Sequence, residues 1–557
     1  MNTKLFLSNH AGSFCLLGTE TKSKYEGLFF LLDGKMYKTI ADFDMKKKPK
    51  AMVDELWRTI RKRNGILEHL WFAPEQPVFF YELSKETEFD LILDFKENYD
   101  NREWGRSYEI EKNDKMIVIR YNKKNDNREQ KGKEYELWMA IFSPKIEYKD
   151  INKWEQKKYP EDKERNSPPY TRWVYRAGTI KAKKTAISCA KTKEEAIKTV
   201  LNAWIQKDKL AKKAAETAKA KTRTELQKAK KCAEYSLLSL RAEGGIFAGL
   251  PWFHQRWARD ELISVKGIMK TKPKLAKKII FYWLEKLNSN LPGTLTEKIA
   301  DSGWVFVRLQ DIIRKMDSQE KMFALAKIDY FLRKQKIQNR LIINEAKETW
   351  MDSIPRQGAC IEIQALTLAA CKLARKLKKI KKPLKIEKTL KKNVIKEFWN
   401  GLYLKDRAGD DTIRPNIFIA AYVYPELLSK KQWITCFDNV LPKLWLNWGG
   451  LSTINKNDPR FCKEHTGENP KSYHNGDSWF WINNLTAIVL NKFDKKRYKD
   501  YIKQILKAST KEILKMGAIG NHCELSSAKT LKSQGCLVQA WSAATYIELV
   551  DEVKKWK

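Results

Sequence analysis

The stretch Glu243-Gly244-Gly245-Ile246-Phe247-Ala248-Gly249-Leu250-Pro251-Trp252-Phe253-His254-Gln255-Arg256-Trp257, running into Arg259-Asp260, is a long break between two helical patterns. Its glycines and its proline rule out a helix, because Gly adds backbone freedom and Pro removes an N–H donor. On either side apolar residues recur with the 3.6-residue period, over 231–242 before it and 259–270 after it. The same period returns near 273–288, 303–316, 319–336, 360–380, 386–399, 415–424, 430–446, 478–492, 495–516 and 535–553. The connections at 243–258, 289–302, 337–359, 400–414, 447–477 and 517–534 are long, and those between them are short. Compact domains rarely spend residues on long loops that do nothing. Antiparallel helices joined by alternating long and short connectors send every long loop to the same end. Six such pairs closing in a ring predict a six-fold α/α toroid with one mouth. No sequence repeat accompanies the pattern, so the expected repeat is structural only.

Nearly every side chain suited to chemistry falls in a long loop or at the helix start beyond it. The first loop carries Trp252 and ends in Arg259-Asp260; the second ends in Asp301-Ser302-Gly303-Trp304, and the third in Thr349-Trp350-Met351-Asp352. The fourth holds Asp410-Asp411 and Arg414-Pro415-Asn416. The fifth holds Gly449-Gly450-Leu451, Asp458-Pro459-Arg460 and Tyr473-His474-Asn475-Gly476-Asp477, then Trp479-Phe480-Trp481. The sixth holds His522-Cys523-Glu524-Leu525, followed by Gln539-Ala540-Trp541. One mouth would gather carboxylates, arginines and tryptophans. Sugars suit that set: aromatic rings hold their weakly apolar faces, and charged groups bond vicinal hydroxyls. Glycoside hydrolysis needs two carboxyl groups, one of them protonated, and burial in an aromatic pocket raises a carboxyl pKa. A phosphate or nucleotide fits worse, since there is no G-x-x-x-x-G-K-[ST], no G-x-G-x-x-G after a strand, and carboxylates repel phosphate. Each residue also has a plain structural use. Asp260 and Asp301 stand where helices start, Glu362 suits a helix dipole, the tryptophans suit a core, and His474 suits a framework. Their gathering at one end is what favours a site.

Residues 1–205 read differently. Runs such as Leu28-Phe29-Phe30-Leu31-Leu32, Val78-Phe79-Phe80-Tyr81 and Met116-Ile117-Val118-Ile119-Arg120-Tyr121, separated by charged, Asn-rich or Gly-containing turns, predict an antiparallel β sandwich. Residues 206–230 switch to Ala, Lys, Glu and Gln without Gly or Pro and predict an exposed helical linker, leaving 231–557 to the helical domain. A chain of 557 residues with 43% hydrophobic content can bury such cores. Lys+Arg 108 against Asp+Glu 68 gives +40, which invites a nucleic-acid or anionic-membrane partner. The lysines are spread along the whole chain without a finger, helix-turn-helix or RNA-binding motif, so neither partner is expected. Nine cysteines form no C-x-x-C pair and none sits at zinc-finger spacing with the six histidines. They read as reduced thiols of a cytoplasmic protein. Met1-Asn2-Thr3-Lys4 leads into no secretory segment, and no run of 18 apolar residues occurs.

Together these blocks resemble the glycogen debranching enzyme family. Ala248-Gly249-Leu250-Pro251-Trp252-Phe253 through Arg259-Asp260 is similar to the G-x-P-W-F…G-R-D block of its glucosidase domain, with Ala258 where Gly is usual. Similar blocks follow in order: Thr349-Trp350-Met351-Asp352, Glu362-Ile363-Gln364-Ala365-Leu366, Arg414-Pro415-Asn416, Gly450-Leu451, Asp458-Pro459-Arg460, Tyr473-His474-Asn475-Gly476 with Trp479-Phe480-Trp481, and Gln539-Ala540-Trp541-Ser542. Nearer the N-terminus, Ser8-Asn9-His10-Ala11-Gly12-Ser13 and Lys24-Tyr25-Glu26-Gly27-Leu28 resemble the family's N-terminal block, with Lys24 and Glu26 where Arg and His are usual. The resemblance implies a β-supersandwich, a helical linker and a six-pair α/α toroid. It also implies amylo-α-1,6-glucosidase activity on glycogen or branched maltodextrin, with inversion at C1 and no metal or cofactor. By the same resemblance Asp352 is the general acid and Glu524 the general base. Arg259 and Asp260, aided by Asp301, clamp the terminal glucose, and Trp350, Trp479 and Trp481 wall the pocket. Trp252, Glu362, His474 and Trp541 complete the expected substrate-binding set. Nothing reads as a (β/α)₈ barrel, so no transferase activity is expected. The alternatives are a glucoamylase-like or trehalase-like exo-α-glucosidase on the same fold, and a non-catalytic glucan-binding protein.

Overall fold

The computed structural model describes residues 4–45, 48–63, 65–219, 222–287, 291, 299–382 and 384–554. The chain divides into two compact units. One comprises Met1–Arg223, Leu238–Glu243 and Gly517–Gly520; the other comprises Thr224–Leu237, Gly244–Met516 and Asn521–Lys557.

The first unit is an antiparallel β sandwich of strands β1 (Leu5–Ser8), β2 (Phe14–Leu17), β3 (Gly27–Leu32), β4 (Lys35–Asp44), β5 (Ala51–Asp54), β6 (Arg58–Arg63), β7 (Ile66–Phe72), β8 (Val78–Glu97), β9 (Arg106–Lys112), β10 (Met116–Lys123), β11 (Tyr135–Phe142), β12 (Glu147–Lys158) and β13 (Thr171–Ala190). A short helix α1 (Pro160–Glu164) precedes β13, and α2 (Lys193–Ile205) and α3 (Lys207–Ala218) follow it. The two long strands change partners along their length. β8 pairs with β7 through Phe79–Leu83 and with β4 through Asp90–Glu97, while β13 pairs with β12 and then, from Ala186 on, with β11. The unbroken apolar run Val78-Phe79-Phe80-Tyr81 is explained by burial on both faces. Phe79 and Tyr81 point into the sandwich interior with Phe43, Phe72 and Phe89. Val78 and Phe80 point the other way, onto Ala196, Val200 and Ala203 of α2 and Leu210 of α3.

The helical linker expected over 206–230 is divided. Helicity begins at Lys193, where Thr192 caps the helix by accepting from the Glu195 amide. Then α3 buries Leu210, Ala214 and Ala218 rather than standing exposed, and α4 (Glu225–Ser239) starts separately. The Ala/Lys composition hid this one-residue-per-turn stripe. Residues 220–221 of the expected linker lie outside the described ones. Lys24 and Glu26, the departures from the family's N-terminal block, are framework residues. The Lys24 ammonium donates to Ser167 O at 2.7 Å and Pro168 O at 2.7 Å, and Glu26 accepts from the amides of Gly18, Lys22 and Ser23 and pairs with Lys4 at 3.0 Å.

The second unit is helical. After α4 come α5 (Ala258–Ile268), α6 (Pro273–Lys286), α7 (Trp304–Ile312), α8 (Ser318–Lys334), α9 (Ile361–Leu377), α10 (Lys385–Phe398), α11 (Asn416–Val423), α12 (Lys430–Leu444), α13 (Phe480–Asp494), α14 (Lys499–Lys515) and α15 (Ala540–Val553). Two kinds of helix alternate. α9, α11, α13 and α15 bury residues on nearly every side, whereas α10 and α14 bury one stripe and show lysines on the other. The all-round apolar helices pack in sequence, α5 on α7, α7 on α9, α9 on α11, α11 on α13, α13 on α15 and α15 on α5. Each is entered from a long connection. The connection expected at 289–302 lies largely outside the described residues, which resume at Ile299.

In the sandwich interior Phe43 stacks on Tyr81 with ring centres 4.2 Å apart and meets Phe89 edge-on at 6.0 Å. Phe43→Ala is expected to destabilise this unit by about 3–5 kcal/mol, because its packed neighbours cannot collapse into the space. Urea denaturation followed by near-UV circular dichroism checks this.

Candidate functional site

The N-terminal ends of α5, α13 and α15 and the connection leading to α9 meet at one cavity. It is lined by Ala248, Phe253, Trp257, Arg259, Asp260, Trp350, Asp352, Tyr473, Trp479, Glu524, Gln539 and Trp541. Loops remote in sequence are fastened there by two-residue strand pairs. Gly249–Leu250 of the first loop pairs with Val538–Gln539, and Ser478–Trp479 pairs with Leu525–Ser526 directly beside Glu524. Glu524 is also held through its backbone, its amide donating to Cys536 O at 2.8 Å and its carbonyl accepting from Phe480 N at 3.1 Å. Gly535, at φ +65°, completes this seat, since a Cβ there would stand 2.2 Å from Glu524 Oε2.

Among the described residues Arg259 is the one cation lining the cavity, and it is buried. Its Nε donates to Asp301 Oδ2 at 2.6 Å, its Nη2 to Glu348 O at 3.2 Å, and its Nη1 stands 3.6 Å from Asp352 Oδ2. Asp260, in the first turn of α5, accepts from Gln539 Nε2 at 3.3 Å. Burial pushes the Asp260 carboxyl well above the usual range, against the pull of Arg259. Burial also raises Asp301, against the pull of Arg259. Burial lifts Asp352 to about 6, opposed by Arg259, and lifts Glu524 to about 7, opposed by its hydrogen bonds. The Tyr473 hydroxyl donates to Glu524 Oε1 at 2.6 Å and the Cys536 amide to Oε2 at 2.9 Å. The Asp352 side chain keeps 16% of its surface exposed, whereas Glu524 is buried.

The aromatic wall is a herringbone. Trp350 meets Trp479 edge-on at 5.6 Å and Trp481 edge-on at 5.0 Å, and Trp481 stacks on Trp541 at 5.2 Å. Of the expected residues, Asp352, Glu524, Arg259, Asp260, Trp350, Trp479 and Trp541 reach the cavity. Asp301 stands behind Arg259. Trp481 and His474 stand behind the wall, His474 stacked on Trp479 at 5.1 Å with its Nδ1 bonded to Ser353 Oγ at 2.7 Å. Burial and nearby arginines keep its imidazole neutral. Trp252 packs against Phe253 and is not part of the lining.

Glu362, expected to bind substrate, is instead an anchor. Both its oxygens accept from Arg356, at 2.6 and 3.0 Å, and Arg356 forks onto Asp406 as well. Asp406 accepts from Asn416, and Asn416 accepts from the Trp350 indole at 2.6 Å, so this chain of bonds sets the Trp350 ring. A carboxylate at a helix start looks the same in sequence whether it faces a ligand or an arginine six residues away. Tyr473, Gln539, Phe253 and Trp257 were missed as lining. The signal available for Tyr473 was its place beside His474-Asn475-Gly476 in the fifth loop. Among the described residues no group of three or more His, Cys, Asp or Glu side chains could hold a metal ion.

Residues 232–304 and 276–548 match the family described as amylo-alpha-1,6-glucosidase, and these overlapping segments span more than half of the chain. No curated protein matches the chain in sequence. A bacterial glucoamylase complexed with acarbose is similar in structure, with a TM-score of 0.65 and 13% identity, covering 100% of this chain and 95% of that chain. A wild-type glycosidase is similar at TM-score 0.45 and 14% identity, covering 60% of this chain and 99% of that one. An uncharacterized conserved protein from Thermus thermophilus is similar at TM-score 0.45 and 11% identity, covering 57% and 98%. The likeness to the glucoamylase is one of fold.

The raised Asp352 carboxyl carries a stability consequence with a definite sign. An unfolded Asp titrates near 3.8 and the folded one near 6, so the native state binds the extra proton and loses stability as pH rises through that interval. Above it, Asp352→Asn is expected to be more stable than the wild type by on the order of 2–3 kcal/mol, with the difference vanishing below about pH 4. Denaturation midpoints of both proteins at pH 4 and pH 8 check this. Equal midpoints at pH 8 would contradict it.

Proposed function

The chain belongs to the amylo-alpha-1,6-glucosidase family, and we propose that it removes single α-1,6-linked glucose units from glycogen or branched maltodextrin by an inverting two-carboxylate mechanism. As a glycoside hydrolase of that family it acts on a glucan. The observation that carries the finer reading is that Asp352 and Glu524, brought from loops remote in sequence, line one aromatic-walled cavity with Arg259 and Asp260. In this reading Asp352 gives its proton to the glycosidic oxygen as the C1–O bond breaks. Glu524 takes a proton from the water that attacks C1 on the opposite face, and the glucose leaves with its anomeric centre inverted. Arg259 and Asp260 hold the hydroxyls of the departing glucose, and Trp350, Trp479 and Trp541 pack on its faces.

Proton affinity in the free protein does not by itself assign the roles, because Asp352 stands at about 6 and Glu524 at about 7. Environment divides them. Glu524 already accepts from a donor at each oxygen and is 2% exposed, so a sugar takes less water from it. Asp352 has water left to lose, and a glucosyl unit closing over its exposed edge raises it further. Binding therefore favours protonated Asp352 with ionised Glu524, the pair that inversion requires.

The cyclic packing of α5, α7, α9, α11, α13 and α15 supports a six-fold α/α toroid, whose far end would close the pocket and restrict the enzyme to terminal glucose. No transferase step belongs to this reading. The shared fold with a glucoamylase makes an α-1,4 exo-glucosidase the second reading. Glucose release from α-1,6-glucosyl maltooligosaccharide and from the linear oligosaccharide of equal length separates them. Faster release from the branched substrate is expected, and the reverse overturns the α-1,6 assignment.

For the pair itself, kcat/KM against pH is expected to be bell-shaped with apparent values that belong to both carboxyls. Tyr473→Phe removes a hydrogen bond that favours ionised Glu524. Its profile should extend further toward alkali and fall in height, since fewer molecules hold the productive protonation state. An unchanged profile would contradict the role given to Glu524.

A further inference from the structure

Five aromatic side chains among the described residues are exposed: Tyr99 at 50%, Trp104 at 46%, Trp173 at 44%, and Tyr170 and Phe323 at 37% each. Scattered exposed rings need no explanation, but four of these five stand in one neighbourhood of the β-sandwich unit. The segment 99–104 runs beside the start of β13. Arg172 Nη1 donates to Asn101 O at 3.3 Å, the Trp173 amide donates to Glu103 Oε2 at 3.1 Å, and Arg106 Nη1 donates to Trp173 O at 2.9 Å. Tyr170 leads into the same strand. Tyr99 and Trp104 line an open concavity of about 610 Å³.

The polar groups of that concavity are arranged in advance. Arg102 forks onto Asp100 at 2.9 and 2.7 Å. Glu129 accepts from the amides of Glu103 and Trp104 at 2.7 and 3.1 Å, which fixes the backbone that presents Trp104. Behind them the buried guanidinium groups of Arg106 and Arg172 hold Glu103 at 3.1 and 3.0 Å. Arg128 lies 3.7 Å from the centre of the Trp104 ring. Although the chain carries +40, the lining balances Asp100, Glu103 and Glu129 against Arg102, Arg128 and Lys131. A polyanion would want one sign of charge. Balanced, paired charges with spare lone pairs and N–H groups, set among exposed rings, suit a neutral ligand with many hydroxyls and weakly apolar faces.

We infer that this face of the β-sandwich unit is a second carbohydrate site, which holds a chain of the polymeric α-glucan while the cavity of the helical unit performs the hydrolysis. The inference rests on the glucan reading above for its ligand, and its test reads binding apart from catalysis. Full-length Asp352→Asn protein, with and without Trp104→Ala or Trp173→Ala, is run on native gels containing glycogen. Each aromatic substitution is expected to weaken retardation roughly tenfold, the size of one lost stacking contact with its hydrogen bonds. In the active chain, Trp104→Ala should raise KM for glycogen by a similar factor, with kcat unchanged and turnover of a short branched oligosaccharide unchanged. Undiminished retardation of both variants overturns the inference, as does equal loss on long and short substrates, which would mark a folding defect. Retardation that disappears in 0.5 M salt and is reproduced by dextran sulfate also overturns it, by making the face a polyanion site. Should the wild type release no glucose at all, the hydrolase reading fails while the gel still decides this one.

Discussion

A single buried guanidinium organises the cavity. Arg259 stands among Asp260, Asp301 and Asp352, with Glu524 beyond them on the same cavity, in a space that burial makes hostile to charge. One cation cannot satisfy three neighbouring carboxylates and a fourth beyond them, so the group divides. Asp301 takes the short ion pair, burial drives Asp260 well above the usual carboxylate range, and Asp352 and Glu524 remain with proton affinities near neutrality. A fully polar pocket would have left both as ordinary carboxylates, and a fully apolar one would have kept both protonated. The arrangement is costly to the fold, as functional sites commonly are.

The geometry is preserved by pieces that touch no ligand. Two-residue strand pairs fasten the first loop to the last and the fifth to the sixth. The chain of bonds from Glu362 through Arg356, Asp406 and Asn416 to the Trp350 indole sets the angle of one wall. The herringbone of tryptophans behind it leaves the rings little freedom to turn. Aromatic side chains therefore serve the pocket in two ranks, one that lines it and one that fixes the first.

The helices of the second unit were legible because their signal is local. Apolar residues at the 3.6 period marked α5 through α15, and the long connectors between them pointed to the end where the cavity lies. Asp352 and Glu524 stand in those connectors and Arg259 at the helix start beyond the first, and all three line the cavity. What escaped was set by which side chains the fold brings together. Arg356 stands only six residues before Glu362, yet nothing in the sequence announces that its guanidinium will hold Glu362 and Asp406 together. Nothing near Tyr473 announces a carboxylate from the sixth loop. In the β-sandwich unit, strand-rich runs were visible, but the long strands β8 and β13 change partners midway, and α3 hides its buried stripe within an Ala/Lys composition.

The central claim is that Asp352 and Glu524 act on opposite faces of one sugar, with a water between Glu524 and C1. Proton NMR of the first turnovers on an α-linked glucosyl oligosaccharide tests it most directly, because the anomeric signals of freshly released glucose are resolved before mutarotation mixes them. The account predicts that β-glucose appears first. Initial release of α-glucose would mean a covalent intermediate and a closer pair of carboxylates, and would contradict it.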